Sequence, residues 1–347
     1  MSEKKIMFLG DINLMGVHDP ELPFENVTEY LQSADAIFTN LECCLYDCDI
    51  VYNEINSQFR YEGLYAETKM VEALKKIGVT GVGTANNVNF GVDAILSSCK
   101  CLKENEILNT GSGKNIVRAI KPIEIERDDL KIGMVQRTCV YWPVNHEARL
   151  RMPGVAVLKV HTAYRPVFDG RAVEKPGMLP EVLTWADPNY LESYLDQIKK
   201  MKEKDDIVIA SMHWGLEGQI VSYQTEIAHA LIDAGADIVI GHGTHKCSGM
   251  EIYKGKAIFY SIGHFYFNIG HCATDPGAWI GLMPIITVED KKINSVKFSF
   301  VRRTKEYKTI LVSPDSLPDK LKELEDISAT FNTVLKADGD LVELCFN

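Results

Sequence analysis

The sequence predicts an α/β fold, because strand and helix patterns alternate along most of its 347 residues and because apolar runs end directly in polar side chains. Runs rich in Ile and Val at 207–212 and 237–240 have the near-continuous apolar character of buried parallel strands. Each is preceded by a helix pattern, at 188–202 and 224–234. This order indicates strands whose carboxyl ends meet at one edge of a sheet.

The N-terminal half shows the same alternation. In order, the predicted elements are a strand at 6–9, a short helix at 28–32, a strand at 36–39, a helix at 67–77, a strand at 79–83 and a helix at 92–104. Gly78 stands where a glycine ends a helix. Two β-hairpins are predicted as well, one at 121–138 around Asp128 and Asp129 and one at 281–303 around residues 289–292.

The remaining segments determine the predicted domain organisation. Residues 140–187 are irregular and rich in proline and aromatic residues, which favours a lid or a binding loop over filler. An amphipathic helix is predicted at 316–335. We therefore expect one domain, 1–312, with a helical C-terminal extension, 313–347, packed on it.

Composition and charge exclude several classes of protein. The formal net charge of −11 argues against a nucleic-acid partner, which needs a basic surface. No apolar run reaches the length of about 18 residues that a membrane helix needs, and the first residues pass directly into a strand pattern. Nine irregularly spaced cysteines without an export signal indicate reduced thiols. We expect a cytoplasmic protein without a membrane partner.

Polar residues follow five predicted strands. They are Asp11 in GDIN, Glu42 in NLE, Asn86 and Asn87 in TANN, His213 in HWGLE, and His242 and His245 in GHGTH. Each residue alone has an ordinary explanation, such as a solvated carboxylate, a helix-capping amide or a hydrogen-bonded core histidine. Together, in order, they are hard to explain by packing.

This set of side chains is suited to binding divalent metal ions. Imidazole is the commonest protein metal ligand, and mixed nitrogen and oxygen ligands suit Mn, Fe, Zn or Co. Two such ions about 3.5–4 Å apart lower the pKa of a bridging water and stabilise an anionic transition state. The sequence therefore predicts divalent ions, two in number and most simply Mn, Fe or Zn, and hydrolysis by an activated water.

The motifs GD, NLE, ANN, HWGLE and GHGTH, followed by GMEIYKGKAIFYSIGHFYF, resemble the CapA family of capsule and poly-γ-glutamate biosynthesis proteins. The resemblance covers residues 5–268. It implies a calcineurin-like metallophosphatase fold, a four-layer sandwich of two mixed β-sheets flanked by helices with a dimetal site at the strand ends. Carried over by motif, the metal ligands would be Asp11, Glu42, Asn87, His213, His242 and His245.

The chain departs from this family pattern at three places. Val88 stands where the family has the histidine that assists the leaving group, and Asn89 follows where an acid is usual. Gly243 replaces the middle histidine of GHHPH, and His264 replaces the asparagine of LGNF. Loss of a general acid typically costs a factor of about 10²–10⁴ in rate. A simple phosphomonoesterase is therefore disfavoured.

Replacement groups are available in the irregular segment and at the departure in IGHF, where His264 is a new imidazole close to the GHGTH loop in sequence. We predict His161 and His264 as catalytic residues, and Arg151, Tyr164 and Arg165 as residues that bind a small anionic substrate. Arginine binds carboxylate and phosphate in bidentate geometry. The alternatives are ordinary surface charge for the arginines and a structural role at a strand edge for His161. The sequence GSGK ending at Lys114 is not a P-loop, because the leading glycine is absent.

Three functional hypotheses follow. The first is a dimetal hydrolase that cleaves a phosphoester or an amide-like bond in a small anionic substrate. The second is an accessory protein of poly-γ-glutamate or capsule biosynthesis. The third is a non-catalytic binding module, which Val88 favours and the intact histidine motifs oppose. Neither the substrate nor the oligomeric state follows from the sequence.

Overall fold

The structure is a computed structural model that describes residues 3–47, 63–167, 177–268 and 279–346. The strands are β1 (Lys4–Asn13), β2 (Ala36–Leu41), β3 (Cys44–Leu45), β4 (Tyr65–Ala66), β5 (Gly81–Gly83), β6 (Leu108–Thr110), β7 (Ser112–Gly113), β8 (Ile123–Arg127), β9 (Leu130–Thr138), β10 (Gly154–Val155), β11 (Val160–Arg165), β12 (Glu181–Ala186), β13 (Ile207–His213), β14 (Ile238–His242), β15 (Met250–Tyr253), β16 (Lys256–Phe259), β17 (His264–Phe267), β18 (Gly281–Glu289), β19 (Lys292–Arg303), β20 (Thr309–Val312), β21 (Val334–Asp338) and β22 (Leu341–Cys345).

The helices are α1 (Thr28–Leu31), α2 (Val71–Lys76), α3 (Val92–Glu104), α4 (Ile116–Ala119), α5 (Pro188–Lys202), α6 (Ser222–Ala234) and α7 (Pro318–Ala329). Short 3₁₀ helices occur at Thr68–Met70 and Pro314–Ser316. No helix within the described ranges is long and apolar enough to cross a lipid bilayer.

Two mixed sheets form the centre of the molecule. The larger has ten strands in the order β21-β22-β19-β18-β1-β2-β5-β6, with β17 also paired to β1 and β20 to β19. The smaller has six strands in the order β15-β16-β14-β13-β9-β8. Strands β1, β2, β5 and β6 run parallel, as do β9, β13, β14 and β16. Their carboxyl ends therefore meet at one edge of each sheet.

Apolar side chains fill three layers, on both faces of each sheet. Between the sheets, alternate residues such as Ile6 and Phe8 of β1 pack against the smaller sheet. Their neighbours Met7 and Leu9 point to the other face and pack with residues of α2 and α3. Helices α5 and α6 cover the outer face of the smaller sheet, in a cluster that includes Tyr194. This helix–sheet–sheet–helix arrangement confirms the predicted four-layer α/β sandwich.

Both predicted hairpins are confirmed. Strands β8 and β9 pair antiparallel around the turn that contains Asp128, whose φ of +56° is a left-handed turn conformation. Strands β18 and β19 pair antiparallel from Gly281↔Val301 to Glu289↔Lys292.

The C-terminal segment differs from the predicted single helix. Helix α7 ends at Ala329, and β21 and β22 then form a hairpin whose strand β22 pairs with β19 of the larger sheet. The turn of this hairpin contains Gly339 at φ +61°, and Asn332 at φ +56° separates helix from strand. The extension therefore combines helix and strand, and the boundary at 312/313 stays a prediction.

The segment 140–187 contains more regular structure than predicted. Strands β11 and β12 pair in register from Val160↔Ala186 to Arg165↔Glu181. Strand β10 pairs with β7 near the start of the segment. Part of the connection between β11 and β12, residues 168–176, lies outside the described residues. The predicted lid or binding role of the segment stays a prediction.

We expect Leu324→Ala to lower the free energy of unfolding by about 2–5 kcal/mol, because Leu324 of α7 is fully buried in the cluster between the two sheets. Val334→Ala, at a side chain that is 52% exposed, should change it by less than about 0.5 kcal/mol. Urea denaturation followed by circular dichroism measures both. A separate early transition in Leu324→Ala, with the main transition unchanged, would show that α7 is not part of the common core.

Candidate metal centre

The two sheets bring polar strand ends together at one side of the sandwich. In the larger sheet, Asp11 of β1 lies in register with Asn40 of β2 and with His264 of β17. In the smaller sheet, His213 and His242 lie in register at the ends of β13 and β14. All five side chains are buried. Parallel pairing therefore brings these polar side chains together in the interior of the molecule.

The carboxylate of Asp11 connects the two sheets. Its Oδ1 accepts a hydrogen bond from Asn40 Nδ2 at 2.8 Å and lies 2.9 Å from His242 Nδ1, and its Oδ2 accepts one from the Gly243 N–H at 3.3 Å. Burial alone would raise the pKa of Asp11, but the hydrogen bond and charge of His242, with the charges of His264 and His213, lower that pKa overall. When His242 Nδ1 donates this bond, its Nε2 keeps a lone pair for a metal ion.

Glu42 and His213 form a pair with unsatisfied polar atoms. Glu42 Oε1 lies 3.7 Å from His213 Nε2, and both side chains are at most 2% exposed. Neither Glu42 Oε2 nor His213 Nε2 has a hydrogen-bond partner among the described residues. Burial, and then the charge of Asp11, raise the pKa of Glu42 well above its usual range. Burial lowers the pKa of His213 to about 3. Such atoms are what a bound cation would satisfy.

Gly243 is required by the approach of the GHGTH loop to this pair. Its φ is +96°, and a Cβ at this position would lie 2.8 Å from His213 Nε2. Any larger residue would therefore collide with one of the two unsatisfied atoms. The glycine that replaces the family's middle histidine keeps the space beside His213 open.

A second group of ligand atoms lies next to Asp11. His245, at φ +64°, places its Nδ1 2.7 Å from His264 Nε2. One ligand atom each from Asp11, His245 and His264 lies within 4.8 Å of the other two, which is close enough to hold one metal ion. His264 also stacks on Phe267, with ring centroids 3.8 Å apart, and contacts Trp279 at 4.4 Å. Aromatic rings thus fix the orientation of this imidazole.

The ANN motif contributes through Asn86, whose part the sequence did not indicate. Asn86 Nδ2 donates to Asn40 Oδ1 at 3.0 Å, and its Oδ1 accepts from the Asn89 N–H at 3.0 Å. Gln136 Nε2 donates to the same Asn40 oxygen at 3.2 Å, so a buried chain of amides holds the partner of Asp11. Asn87 is only half-buried, and its backbone carbonyl accepts from Trp142 Nε1 at 2.9 Å. Its assignment as a ligand stays a prediction.

His146 fixes the loop that contains Val88. The N–H of Trp142 donates to His146 Nδ1 at 3.0 Å, and His146 Nε2 lies 2.9 Å from the carbonyl oxygen of Asn89. The ring is buried and packs edge-on against Phe90. Burial lowers the pKa of His146 to about 4, so the ring is neutral near pH 7 with both nitrogens in use.

Of the other predicted site residues, His161, Tyr164 and Arg165 lie on the hairpin β11–β12, and Arg151 precedes β10. His161 Nε2 contacts Asp187 Oδ2 at 3.0 Å, at the start of α5, and its ring stacks on Trp185. Arg165 pairs with Glu181 of the same hairpin. The two remaining residues are exposed, Tyr164 (70%) and Arg151. Within the described ranges, no hydrogen bond or ion pair joins these four to the metal centre, and their roles stay predictions.

We expect His146→Gln to reduce the pH dependence of stability. Between about pH 4 and 6.5 the unfolded chain binds a proton at this histidine that the folded chain does not, so the free energy of unfolding falls as the pH falls through this range. Glutamine can donate to Asn89 and accept from Trp142 without titrating. The slope should decrease by up to about 1.4 kcal/mol per pH unit, measured by urea denaturation from pH 4.5 to 7. A slope equal to that of the unmodified chain would contradict the assignment.

Comparison with known proteins identifies the family to which this chain belongs. A family model described as bacterial capsule synthesis protein (PGA_cap) matches residues 5–269. The chain is 28% identical over 287 residues to PGA biosynthesis protein CapA of Bacillus subtilis (strain 168), which covers 79% of this chain and 66% of that protein. It is 29% identical over 298 residues to capsule biosynthesis protein CapA of Bacillus anthracis, with 80% and 64% covered.

A probable polyglutamine synthesis accessory protein of Mycobacterium tuberculosis (strain ATCC 25618 / H37Rv) is 29% identical over 187 residues, which covers 52% of this chain and 43% of that protein. The match to the two Bacillus proteins spans slightly less than two thirds of their length. Since the family model extends from β1 through β17 and covers well over half of the sequence, the chain belongs to the CapA family of bacterial capsule synthesis proteins.

Proposed function

We propose that the chain is a metal-dependent hydrolase that cleaves a phosphoester or an amide-like bond in a small anionic substrate. The observation that carries this proposal is the pair of buried, unsatisfied atoms Glu42 Oε2 and His213 Nε2 beside the ionised Asp11. A buried polar atom without a partner costs about 1–3 kcal/mol, and a carboxylate costs more. A divalent cation between these groups would remove that cost.

The donor set fits such an ion. Glu42 and His213 would hold one ion together with His242, and Asp11, His245 and His264 would hold another. Imidazole nitrogen with carboxylate oxygen suits Mn, Fe or Zn. A divalent ion in this position supplies a Lewis acid that lowers the pKa of water and stabilises negative charge. We propose that two ions bind.

The surrounding residues hold this set in place. Asn40, fixed by Asn86 and Gln136, orients the Asp11 carboxylate. Thr138 Oγ1 lies 3.1 Å from His213 Nδ1 and fixes the ring so that Nε2 faces Glu42. Buried orienting partners of this kind typically change metal affinity or activity by about 10–100-fold when removed.

The relatives favour a second candidate, an accessory role in the synthesis of a capsule or a glutamate polymer. Two relatives are named for capsule or PGA biosynthesis and one as a probable polyglutamine synthesis accessory protein. Hydrolysis and an accessory role are compatible, because a hydrolase can act on an intermediate of polymer synthesis.

A binding module without turnover is the third candidate, and Val88 at the position of the leaving-group histidine favours it.

We expect His242→Ala to lose most of its bound metal while the fold survives, because Asp11 and Gly243 still join the sheets at 3.3 Å. The matched control is His229→Ala, which removes an imidazole from a carboxylate partner, Glu251, outside the metal centre. Elemental mass spectrometry measures metal per chain after purification without chelator. About two equivalents in the parent chain and in the control support two ions, and unchanged loading in His242→Ala removes His242 from the ligand set.

The parent chain, His242→Ala and His229→Ala are also assayed for hydrolysis of p-nitrophenyl phosphate, bis-p-nitrophenyl phosphate and γ-glutamyl-p-nitroanilide. We expect one class of ester or amide to be cleaved, with a loss of about 10–100-fold or more in His242→Ala and none in His229→Ala. A metal-loaded chain that cleaves none of these would favour the binding module. A chain that binds no metal, even after reconstitution, would overturn the hydrolase proposal.

We expect Glu42→Gln to stabilise the metal-free chain and to weaken metal binding. Because the pKa of Glu42 is raised, the folded metal-free chain loses stability as the pH rises above the usual glutamate pKa of about 4.5. In EDTA at pH 8 the variant should unfold at a higher temperature, which corresponds to about 1–3 kcal/mol of additional free energy of unfolding. When Mn²⁺ is added, its unfolding temperature should rise less than that of the parent chain. Differential scanning calorimetry measures both effects, with Glu104→Gln as an exposed control. If EDTA and Mn²⁺ change the unfolding temperature of Glu42→Gln as they change that of the parent chain, this role of Glu42 is contradicted.

A further inference from the structure

A second concave site lies away from the metal centre. It is a groove of about 650 Å³ between α3, α4 and the strands β6, β7 and β8. None of the proposed metal ligands lines it. Its volume is within the range of about 300–1,000 Å³ that is typical of sites for small molecules. The groove therefore has room for a small ligand at a site separate from the metal centre.

The rim of the groove is strongly basic. Five cationic side chains line it, Lys100, Lys103, Lys114, Arg118 and Lys121, against two carboxylates, Glu106 and Glu124. The chain as a whole carries a formal charge of −11, so a local excess of three positive charges stands out. Such an excess on a concave surface attracts anions.

Four of these five cations form no ion pair with a neighbour in the described part of the chain. In the described part of the chain, Lys100 pairs with Glu104 at 3.8 Å, whereas Lys103, Lys114, Arg118 and Lys121 form no ion pair. Lysines elsewhere on the surface typically do, as Lys202 with Asp237 and Lys246 with Glu217. The charges of the rim are thus available to a ligand.

The floor of the groove is apolar. Leu96 of α3 and Leu108 of β6 are 37% and 40% exposed, and Ile107 and Ile123 continue the surface beneath them. Among the described strands, β6 is at the edge of the larger sheet, so no further described strand pairs alongside Leu108. Two polar side chains, Asn109 and Ser112, also line the groove, and the buried Ser112 hydroxyl bonds to Thr84 Oγ1 at 2.8 Å.

We propose that this groove binds a nucleotide-like anion, a small molecule in which an aromatic or apolar group carries two or more phosphate charges. The lysines and Arg118 bind the phosphates, Arg118 in a bidentate geometry, and the leucines take the apolar group. Lys114 closes the GSGK sequence, so this site uses side-chain charges and not the backbone cradle of a P-loop.

The test is isothermal titration of the metal-free chain in EDTA with ATP, tripolyphosphate and adenosine. We expect ATP to bind at least about tenfold more tightly than either of the others, since only ATP uses both rim and floor. Lys114→Glu/Lys121→Glu should weaken ATP binding by about tenfold or more. The control Lys159→Glu/Lys305→Glu makes the same change in net charge at exposed residues outside the groove and should not weaken it.

Two further variants separate the contribution of the apolar floor from that of the charged rim, and the groove from the metal centre. Leu108→Asn should weaken binding of ATP but not of tripolyphosphate. His242→Ala, at the metal centre, keeps the bond between Asp11 and Gly243 that joins the sheets and should bind ATP as the parent chain does, so failure of the hydrolase proposal leaves this one intact. The proposal is overturned if ATP does not bind at millimolar concentration, if it binds no more tightly than tripolyphosphate, if both charge-reversed proteins lose affinity equally, or if His242→Ala, shown to be folded by circular dichroism, does not bind ATP.

Discussion

The carboxylate of Asp11 is the constraint on which the candidate site depends, because it joins the two sheets at the end where their polar residues meet. It accepts hydrogen bonds from Asn40 in its own sheet and from the backbone of Gly243 in the other. The backbone is equally constrained, since the Asp11 N–H donates to the carbonyl oxygen of Gly263 at 2.9 Å. A Cβ at Gly10 would collide with the same carbonyl, so the GD sequence allows β17 to approach and to place His264 beside Asp11.

Concentrating these groups costs stability that a bound ion would restore. The interior between the sheets is apolar, and burial opposes the charge of Glu42 and the protonation of His213. A fold selected for stability alone would fill this space with apolar side chains. The amides Asn40, Asn86 and Gln136 satisfy one another, whereas Glu42 Oε2 and His213 Nε2 have no hydrogen-bond partner among the described residues. Unsatisfied groups of this kind, placed next to satisfied ones, are characteristic of functional sites.

The sequence predicts the sandwich and the polar strand ends because both follow from local patterns. Where an apolar run ends in a histidine, as at His213 and His242, the run itself predicts a buried strand and the histidine marks its carboxyl end. Which of two adjacent amides turns inward is set by the loop conformation, so Asn86 could not be separated from Asn87. The hairpin after α7 does not follow from a local pattern, because its strand β22 pairs with β19, which lies about 40 residues earlier in the sequence.

The segment after β9 shows how tertiary contacts determine what a composition pattern leaves open. Its proline and aromatic content is typical of a lid, yet its first residues are fastened to the metal centre. The Cys139 N–H donates to the His213 carbonyl oxygen at 2.8 Å, and Trp142 and His146 bond to the carbonyl oxygens of Asn87 and Asn89. Because these bonds use backbone carbonyls on both sides of Val88, they join the loop that lacks the usual histidine to the start of this segment. Two hydrogen bonds from residues more than 50 positions away in sequence thus shape a loop next to the metal centre, which a composition pattern does not indicate.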